Sequence, residues 1–538
     1  MALFLLLLRA GRDLLVAKWG SAMELISKIK IKIGSSYSFF WPIIGVVSLA
    51  GVCHSLKNPF INSGFYSSDG LYVLSFWQSL RDHTLKTFHF SHLPDIFPEH
   101  LIIIPLLEMH VPWKVAFFLF STLAVLGFLA ASRTILRSLH VGIAGQLLMV
   151  ALFAGLAARR DLAHMQFIAI GVHLGSFVLS FLMAVFAQAR LQRPWRWQAL
   201  LVWNTGICLA VFSDALFVWE FVLPFLAALA VMAVQGHVPW RSAVILGGSA
   251  GISTALGLAF LHMLPISPFP PATLSVMLDR ARLFVSSAGS EMMVELFVPL
   301  GLALAAYMAR FWFGGIEGAS PGQVRRKTEG EIFFWHFGLI GALAVLAITM
   351  VAYEEQGTFR YTTAAWWWPP LLCIAAVRDQ VNRWAPWVAA AAMLTITTSV
   401  ALAAILPPPR VFFNEDLAQC LEREGASFPL KSGLGHYWVA HPITLYTESR
   451  VFVSTVDGSG DPWMWLNNRT DYFNDRKMTA PREYNFVVMR YLDRGAVQSR
   501  YGEPDNEIHC GSDTILYYRD SKRLTDYVAQ WMAQHPKA

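Results

Sequence analysis

What most constrains this chain is the recurrence of apolar runs close to 20 residues long, separated by short basic punctuation. As a helix rising about 1.5 Å per residue, each run spans the roughly 30 Å hydrocarbon core of a bilayer. Lipid offers backbone N–H and C=O groups no partner, so helices and closed barrels are the structures that cross it. Barrel strands alternate apolar and polar residues, whereas these runs are apolar throughout. The chain therefore reads as a polytopic α-helical membrane protein. Charged residues make up 14% of its 538 residues, against about 25% in soluble domains.

Taking the apolar runs in order gives about eleven spans, near 38–54, 112–132, 139–158, 165–188, 198–212, 216–235, 242–262, 291–313, 334–353, 364–377 and 386–405. Basic clusters such as Arg9, Arg12 and Lys18, or Arg325, Arg326 and Lys327, fall in one alternating set of loops, and the opposite set is sparse. Positive charge stays on the cytoplasmic side, which places the N-terminus in the cytoplasm and, after an odd number of spans, the C-terminal tail outside. That distribution gives the net charge of +6 a topological meaning and argues against nucleic-acid binding. The opening MALFLLLLRAG has an apolar run too short to span and no clear cleavage site. It reads as an amphipathic cytoplasmic lead-in, or a misplaced start, rather than a signal peptide.

The tail, about 406–538, leaves the membrane through PPPR, a stiff exit, and turns polar. VFFNEDLAQCLEREG has helical character, while ITLYTESRVFVSTV, YNFVVMRYL and DTILYYRD have the β-branched and aromatic enrichment of strands. A C-terminal periplasmic α/β domain of this size is large enough for its own core. It contains Cys420 and Cys510, which read either as a disulfide in an oxidising periplasm or as two buried thiols. Cys53, Cys208 and Cys373 lie in spans and read as packing residues; no CxxC pair is present.

The loop between the first two spans, residues 55–110, carries Asp69, Asp82, Asp95, Glu99 and Glu108 among aromatics and histidines. A tether needs neither carboxylates nor aromatics, so this loop reads as a site. Asp69, in SSDGLY and backed by Tyr72 and Trp77, fits a general base or the N-cap of a helix beginning near Gly70. Asp95 and Glu99, four apart in HLPDIFPEH, fit the cap of the following helix or, with His92 and His100, ligands for a divalent metal. Arg159, Arg160 and Asp214 stand at outer span ends, where charge lines a cavity mouth or anchors a helix at the interface. His164 and His173 are candidates for the same cavity. Arg360 and Tyr361 open the tenth span, and Arg280 with Arg282 follows the seventh. The Arg360 guanidinium offers a bidentate phosphate clamp or snorkels to lipid headgroups, and Arg280 with Arg282 offers an alternative clamp.

Absences narrow the chemistry. The sequence has no Walker loop, no GxGxxG in a βαβ setting and no HExxH, and its one GxSxG string, GGSAG at 247–251, lies inside the apolar run 242–262 rather than at the strand-to-helix turn of a nucleophile elbow. No internal repeat or inverted pair of broken helices argues for a secondary transporter. Asn468-Arg469-Thr470 is a formal glycosylation sequon.

The plan resembles the GT-C class of membrane glycosyltransferases, which includes protein O-mannosyltransferases and lipid A aminoarabinose transferases. The likeness rests on the cytoplasmic N-terminus, about eleven spans, a long first outer loop with SSDGLY, a late outer RY (Arg360, Tyr361) before a Pro-bearing span, and a terminal outer domain. Asp69 departs from the commonest pattern in lacking an adjacent second acid. The resemblance implies inverting transfer of a sugar from a polyprenyl-phosphate donor to a glycan, lipid or protein acceptor at the outer face of a bacterial inner membrane. Asp69 would then be the base and Arg360 the phosphate partner. A non-catalytic scaffold or lipid-linked glycan carrier of envelope assembly is the reading from another class.

Overall fold

The computed structural model describes residues 40–57, 62, 68–91, 93–158, 173–191, 196–266, 273–287, 289–309, 311, 321–352, 361–405, 414–474 and 478–535. The chain divides into two compact units, residues 1–46 and 47–538. In the first, the described residues begin helix α1 (Phe40–Ser55), which runs on into the second. There follow α2 (Ser68–Arg81), β1 (Phe88–His89), α3 (Glu99–Glu108), α4 (Trp113–Ser138), α5 (Ile143–Ala158), α6 (Leu174–Leu191) and α7 (Trp197–Ser213). After a π-helical turn, Val218–Val222, come α8 (Leu223–Val234), α9 (Trp240–His262), α10 (Leu274–Ser287), α11 (Gly289–Met308) and α12 (Pro321–Ala352). The helical region closes with α13 (Thr363–Ala376), α14 (Arg378–Arg383) and α15 (Ala385–Ile405).

Among the described residues, five helices, Trp113–Ser138, Leu174–Leu191, Trp240–His262, Glu329–Ala352 and Ala385–Ile405, are long and apolar enough to cross a membrane. Shorter apolar helices cover Phe40–Ser55, Ile143–Ala158, Trp197–Ser213, Val218–Val234 and Val294–Met308. Their outward faces need a non-aqueous neighbour: Leu394 and Ile405 on α15 are 69% and 78% exposed. A helix apolar all round is a core or membrane element, and α15 leaves most of its apolar surface outside the core. Inside the bundle, Trp368 of α13 stacks on Phe181 at 4.4 Å and Phe128 meets Trp367 at 5.1 Å. Gly338 permits that packing, because a Cβ there would come within 2.7 Å of the Trp368 ring.

The C-terminal region is α16 (Glu415–Glu424), β2 (Ser432–His436), α17 (Tyr437–Tyr446), β3 (Phe452–Val456), β4 (Asn467–Asn468), β5 (Tyr484–Val488), α18 (Arg494–Tyr501), β6 (Asn506–Cys510), β7 (Asp513–Tyr517) and α19 (Lys522–Gln534). Five strands form one sheet in the order β3-β2-β5-β7-β6. β2 runs parallel to β3 and β5, and β5, β7 and β6 are antiparallel. Both faces are covered: Val439, Ile443 and Phe486 lie in one buried cluster, and Tyr484, Val487 and Leu524 in the other. A disulfide joins Cys420 on α16 to Cys510 at the end of β6, with Cα atoms 5.7 Å apart.

The segment ITLYTESRVFVSTV corrects a sequence expectation. Ile443–Tyr446 ends α17, and the strand begins only at Phe452. Burying Tyr437, Val439, Ala440 and Ile443 on the sheet outweighs the local β preference of Ile and Thr, as tertiary context commonly does.

The loop 55–110 and the tail are stitched together. β1 pairs antiparallel with β4, matching Phe88 to Asn468 and His89 to Asn467. Asn468 is 2% exposed and donates through Nδ2 to Ser79 Oγ at 2.8 Å and Thr84 Oγ1 at 2.9 Å. Its Oδ1 accepts from Thr87 Oγ1 at 2.8 Å. The sequon asparagine is thus committed to a buried contact.

Candidate functional site

Each part of the site is an irregularity at the end of a regular element. α2 begins at Ser68, so Asp69 sits inside its first turn, where the helix dipole favours a carboxylate. The carboxylate turns toward the tail: Tyr437 Oη donates to Asp69 Oδ1 at 2.8 Å, and Ser68 Oγ donates to the Tyr437 carbonyl. One turn on, the buried Tyr72 hydroxyl donates to the Pro94 carbonyl. Burial, then the fields of Asp95, Glu99, Asp69 and Asp214, hold that phenol well above its ordinary value. Tyr72 therefore marks the point on which the four carboxylates converge.

The loop 95–97 is anchored on the end of α7. Asp95 N–H donates to the Ser213 carbonyl at 2.9 Å, and Ser213 Oγ accepts from Phe97 N–H at 2.6 Å while donating to the Phe97 carbonyl at 3.0 Å. This brings Asp95 to Asp214, the residue that ends α7. Between them stands His173, whose Nδ1 is 2.7 Å from Asp214 Oδ2 and 3.1 Å from Asp95 Oδ1. Asp214 Oδ1 accepts from Leu216 N–H at 2.9 Å. All three side chains are buried, and Asp95 (φ 46°) and His173 (φ 63°) hold left-handed backbone conformations. Such conformations are uncommon outside glycine and gather at functional sites.

Two glutamates complete the constellation. Glu99, 2% exposed, accepts from Gly175 N–H through Oε1 at 2.8 Å. A Cβ at Gly175 would lie 2.5 and 2.6 Å from the two Glu99 oxygens, so glycine is required for the carboxylate to lie flat on that backbone. Burial, with the Asp95 charge beside it, pushes the Glu99 carboxyl up to about 8. Glu220 lies in the π-helical turn, a feature common at functional sites, and accepts from Ser176 Oγ at 2.9 Å. The Tyr361 ring stands against His173 at 4.9 Å, edge to face.

The other candidates fall elsewhere. His100 packs its ring on Tyr72 at 5.1 Å and Phe76 at 4.7 Å, and burial pulls its imidazole down to about 3, leaving it neutral. The expected capping of α3 by the acidic pair gives way to other contacts: its N-cap is Pro98, with no side-chain cap bond. Trp77 faces an open groove, donating to Glu108 Oε1 at 2.7 Å with Arg81 over its ring at 5.0 Å. Arg282 is exposed and pairs with Asp279 at 3.0 Å on α10, which also carries Arg280. His92, Arg159, Arg160, Asp161, His164 and Arg360 lie outside the described residues.

At the far end of α2, the junction with the tail encloses a cavity of about 210 Å³. Ser79, Asp82, Thr84, Asn468, Asp471 and Arg482 supply its polar wall, and Arg482 packs over the Phe452 ring at 3.8 Å. Hydroxyls, amides, two carboxylates and an aromatic ring are the groups that meet a polyhydroxylated ligand.

The acid convergence was readable only in fragments. Asp95, Glu99 and Asp214 were each visible as charges at outer ends, but the link through His173 joins residues 41 apart in sequence to Asp214 and has no motif spacing. No protein-family model matches the chain, and no curated protein matches it.

Proposed function

We propose that this chain is an inverting membrane glycosyltransferase moving a sugar from a polyprenyl-phosphate donor to a glycan, lipid or protein acceptor at the outer face of a bacterial inner membrane. The observation that carries this reading is the burial of Asp69, Asp95, Glu99 and Asp214 around the Tyr72 hydroxyl, roofed by the tail. Buried carboxylates oppose stability unless they are compensated, and at a membrane face they mark sites of chemistry.

Topology supports the same reading. The loop 55–110 and the tail hydrogen-bond to each other, so both lie on one side and an even number of spans separates them. Eleven spans with a cytoplasmic N-terminus satisfy that condition. The meeting of Asp95, Asp214 and Tyr361 around His173 is consistent with it, since those three fall on the same side in that count and His173 precedes the first residue of α6. The tail is then periplasmic, where its disulfide is at home.

In this mechanism the acceptor hydroxyl gives its proton to Asp69 and its oxygen attacks the anomeric carbon. The bond from that carbon to the prenyl phosphate oxygen breaks on the opposite face, which inverts the centre. Arg360, beside Tyr361, neutralises the departing phosphate; Arg159, Arg160, Arg280 and Arg282 are alternative clamps. The apolar helices hold the prenyl chain. The cavity near Asn468, lined along α2 from Ser75 to Ser79 and beyond it by Asp82, holds acceptor units that begin about 9 Å from Asp69, the length of six helical residues.

Asp69→Asn keeps the shape and an oxygen for Tyr437 while removing the base. Transfer by the purified protein in vesicles, supplied with polyprenyl-phosphate sugar and envelope acceptors, should fall by about 10²–10⁴-fold, with an unchanged melting curve. The scaffold reading draws support from the Asp69–Tyr437 bond itself, which latches loop to tail. Unaltered envelope assembly with Asp69→Asn would establish that reading instead.

A further inference from the structure

We propose that Asp95, His173 and Asp214 form a binding site for one divalent transition cation of the Mn²⁺ or Zn²⁺ type, with Glu99 beside it. The geometry is that of a coordination sphere. Ligands about 2.1 Å from a common ion at right angles stand about 3.0 Å apart. His173 Nδ1 stands 2.7 Å from Asp214 Oδ2 and 3.1 Å from Asp95 Oδ1, and the three donor atoms lie within 4.8 Å of one another. One imidazole nitrogen carries at most one proton, so it cannot give a full hydrogen bond to two carboxylate oxygens at once. A cation bound by all three removes that conflict.

A second observation comes from Glu99. Its Oε1 is committed to Gly175 N–H at 2.8 Å, but its Oε2 is buried with no hydrogen-bond partner among the described residues. The residue is 2% exposed, it is held on Gly175, two positions from His173, and the charges of Asp95 and Asp214 act on it, so the orphaned oxygen borders the same pocket. An unmatched buried acceptor costs about 1–3 kcal/mol, and a water carried by the bound ion would satisfy it.

Mixed oxygen and nitrogen donors select the class of ion. Carboxylates with one imidazole suit Mn²⁺, Fe²⁺ or Zn²⁺ better than Ca²⁺ or Mg²⁺, which take oxygen shells. Around the donors, Asp214 Oδ1 is fixed by Leu216 N–H and the Tyr361 ring flanks His173, contacts that set ligand orientation.

This inference stands apart from the transfer reading, because its readout is binding. The purified full chain, stripped with chelator, is titrated with Mn²⁺ and followed by the loss of the free-ion paramagnetic resonance signal, then with Zn²⁺ by calorimetry. One equivalent should bind, Mg²⁺ should compete poorly, and the melting temperature should rise with Mn²⁺. His173→Gln and Asp214→Asn should each abolish the saturable site, and Glu99→Gln should weaken it about tenfold. Asp69→Asn, outside the donor set, should bind as the parent does even if it cannot transfer sugar. Should a variant fail to fold, the parent titration and its selectivity against Mg²⁺ still decide. No saturable binding by the parent, or equal binding by folded His173→Gln, would overturn the proposal and leave an imidazolium held between two carboxylates.

Discussion

Asp461 in the tail and Asp214 at the C-terminal end of α7 are both carboxylates on turns, and their surroundings differ in kind. Asp461 receives Arg500 in a fork, Nε to Oδ1 at 2.9 Å and Nη2 to Oδ2 at 3.0 Å, with about a quarter of its side chain exposed. Burial alone would raise its carboxyl, but hydrogen bonds from Arg500 and Tyr527 outweigh that and hold it below the usual range. Asp214 is 1% exposed and shares one imidazole with a second aspartate. The first arrangement spends charge on holding a fold together. The second crowds like charges where water cannot screen them, which a fold tolerates for the sake of chemistry or an ion.

The contrast is sharpened first by removing what holds the tail. Replacing Cys420 and Cys510 with serine frees a closure of 90 residues, worth about 4–5 kcal/mol on the chain-entropy account. Unfolding of the full chain, followed through the tail tryptophans, should shift to much lower denaturant while the helical signal of the bundle changes little. Next in size, Asp461→Asn removes a charged acceptor from a fork that is about one-quarter exposed and should cost about 1–2 kcal/mol, read as a fall in the same transition. An equal cost from neutralising an acid of the outer cluster would break the distinction between the two regions.

How far these features were legible depended on how local they were. The apolar runs announced helices because their signal is continuous over 15 residues or more, and α15 follows its run closely. Tyr484–Val488 was readable as a strand because it is short, β-branched and buried on both faces. Ile443–Tyr446 misled because the local β preference of those residues was overruled by packing on the sheet. Asp69 drew notice through its setting in SSDGLY, yet its partner Tyr437 lies 368 residues away, beyond any spacing rule. Asp95 and Glu99 were paired with the neighbouring histidines of their own loop; the histidine that meets Asp95 stands instead at the head of α6, next to the glycine whose missing side chain admits Glu99.

A smaller effect tests the seam between the two regions. Asp471, partly buried in the wall of the tail–loop cavity, is pushed up to about 7 by burial, with Arg482 lowering it and Asp82 raising it. A carboxyl raised on folding binds its proton more tightly in the native state, so its contribution is complete below the unfolded value and is lost as pH climbs to about 7. Stability should therefore decline between roughly pH 4 and 7, and Asp471→Asn should flatten that slope. An unchanged slope would assign the pH dependence to other groups.

The most direct measurement is the melting temperature of Glu99→Gln beside the parent, both stripped of metal, at pH 8.5. If the outer carboxylates are crowded for function, relieving one of them leaves the melting temperature equal or higher. A fall of several degrees would mean that Glu99 holds the fold as Asp461 does, and the division between the two regions would be wrong.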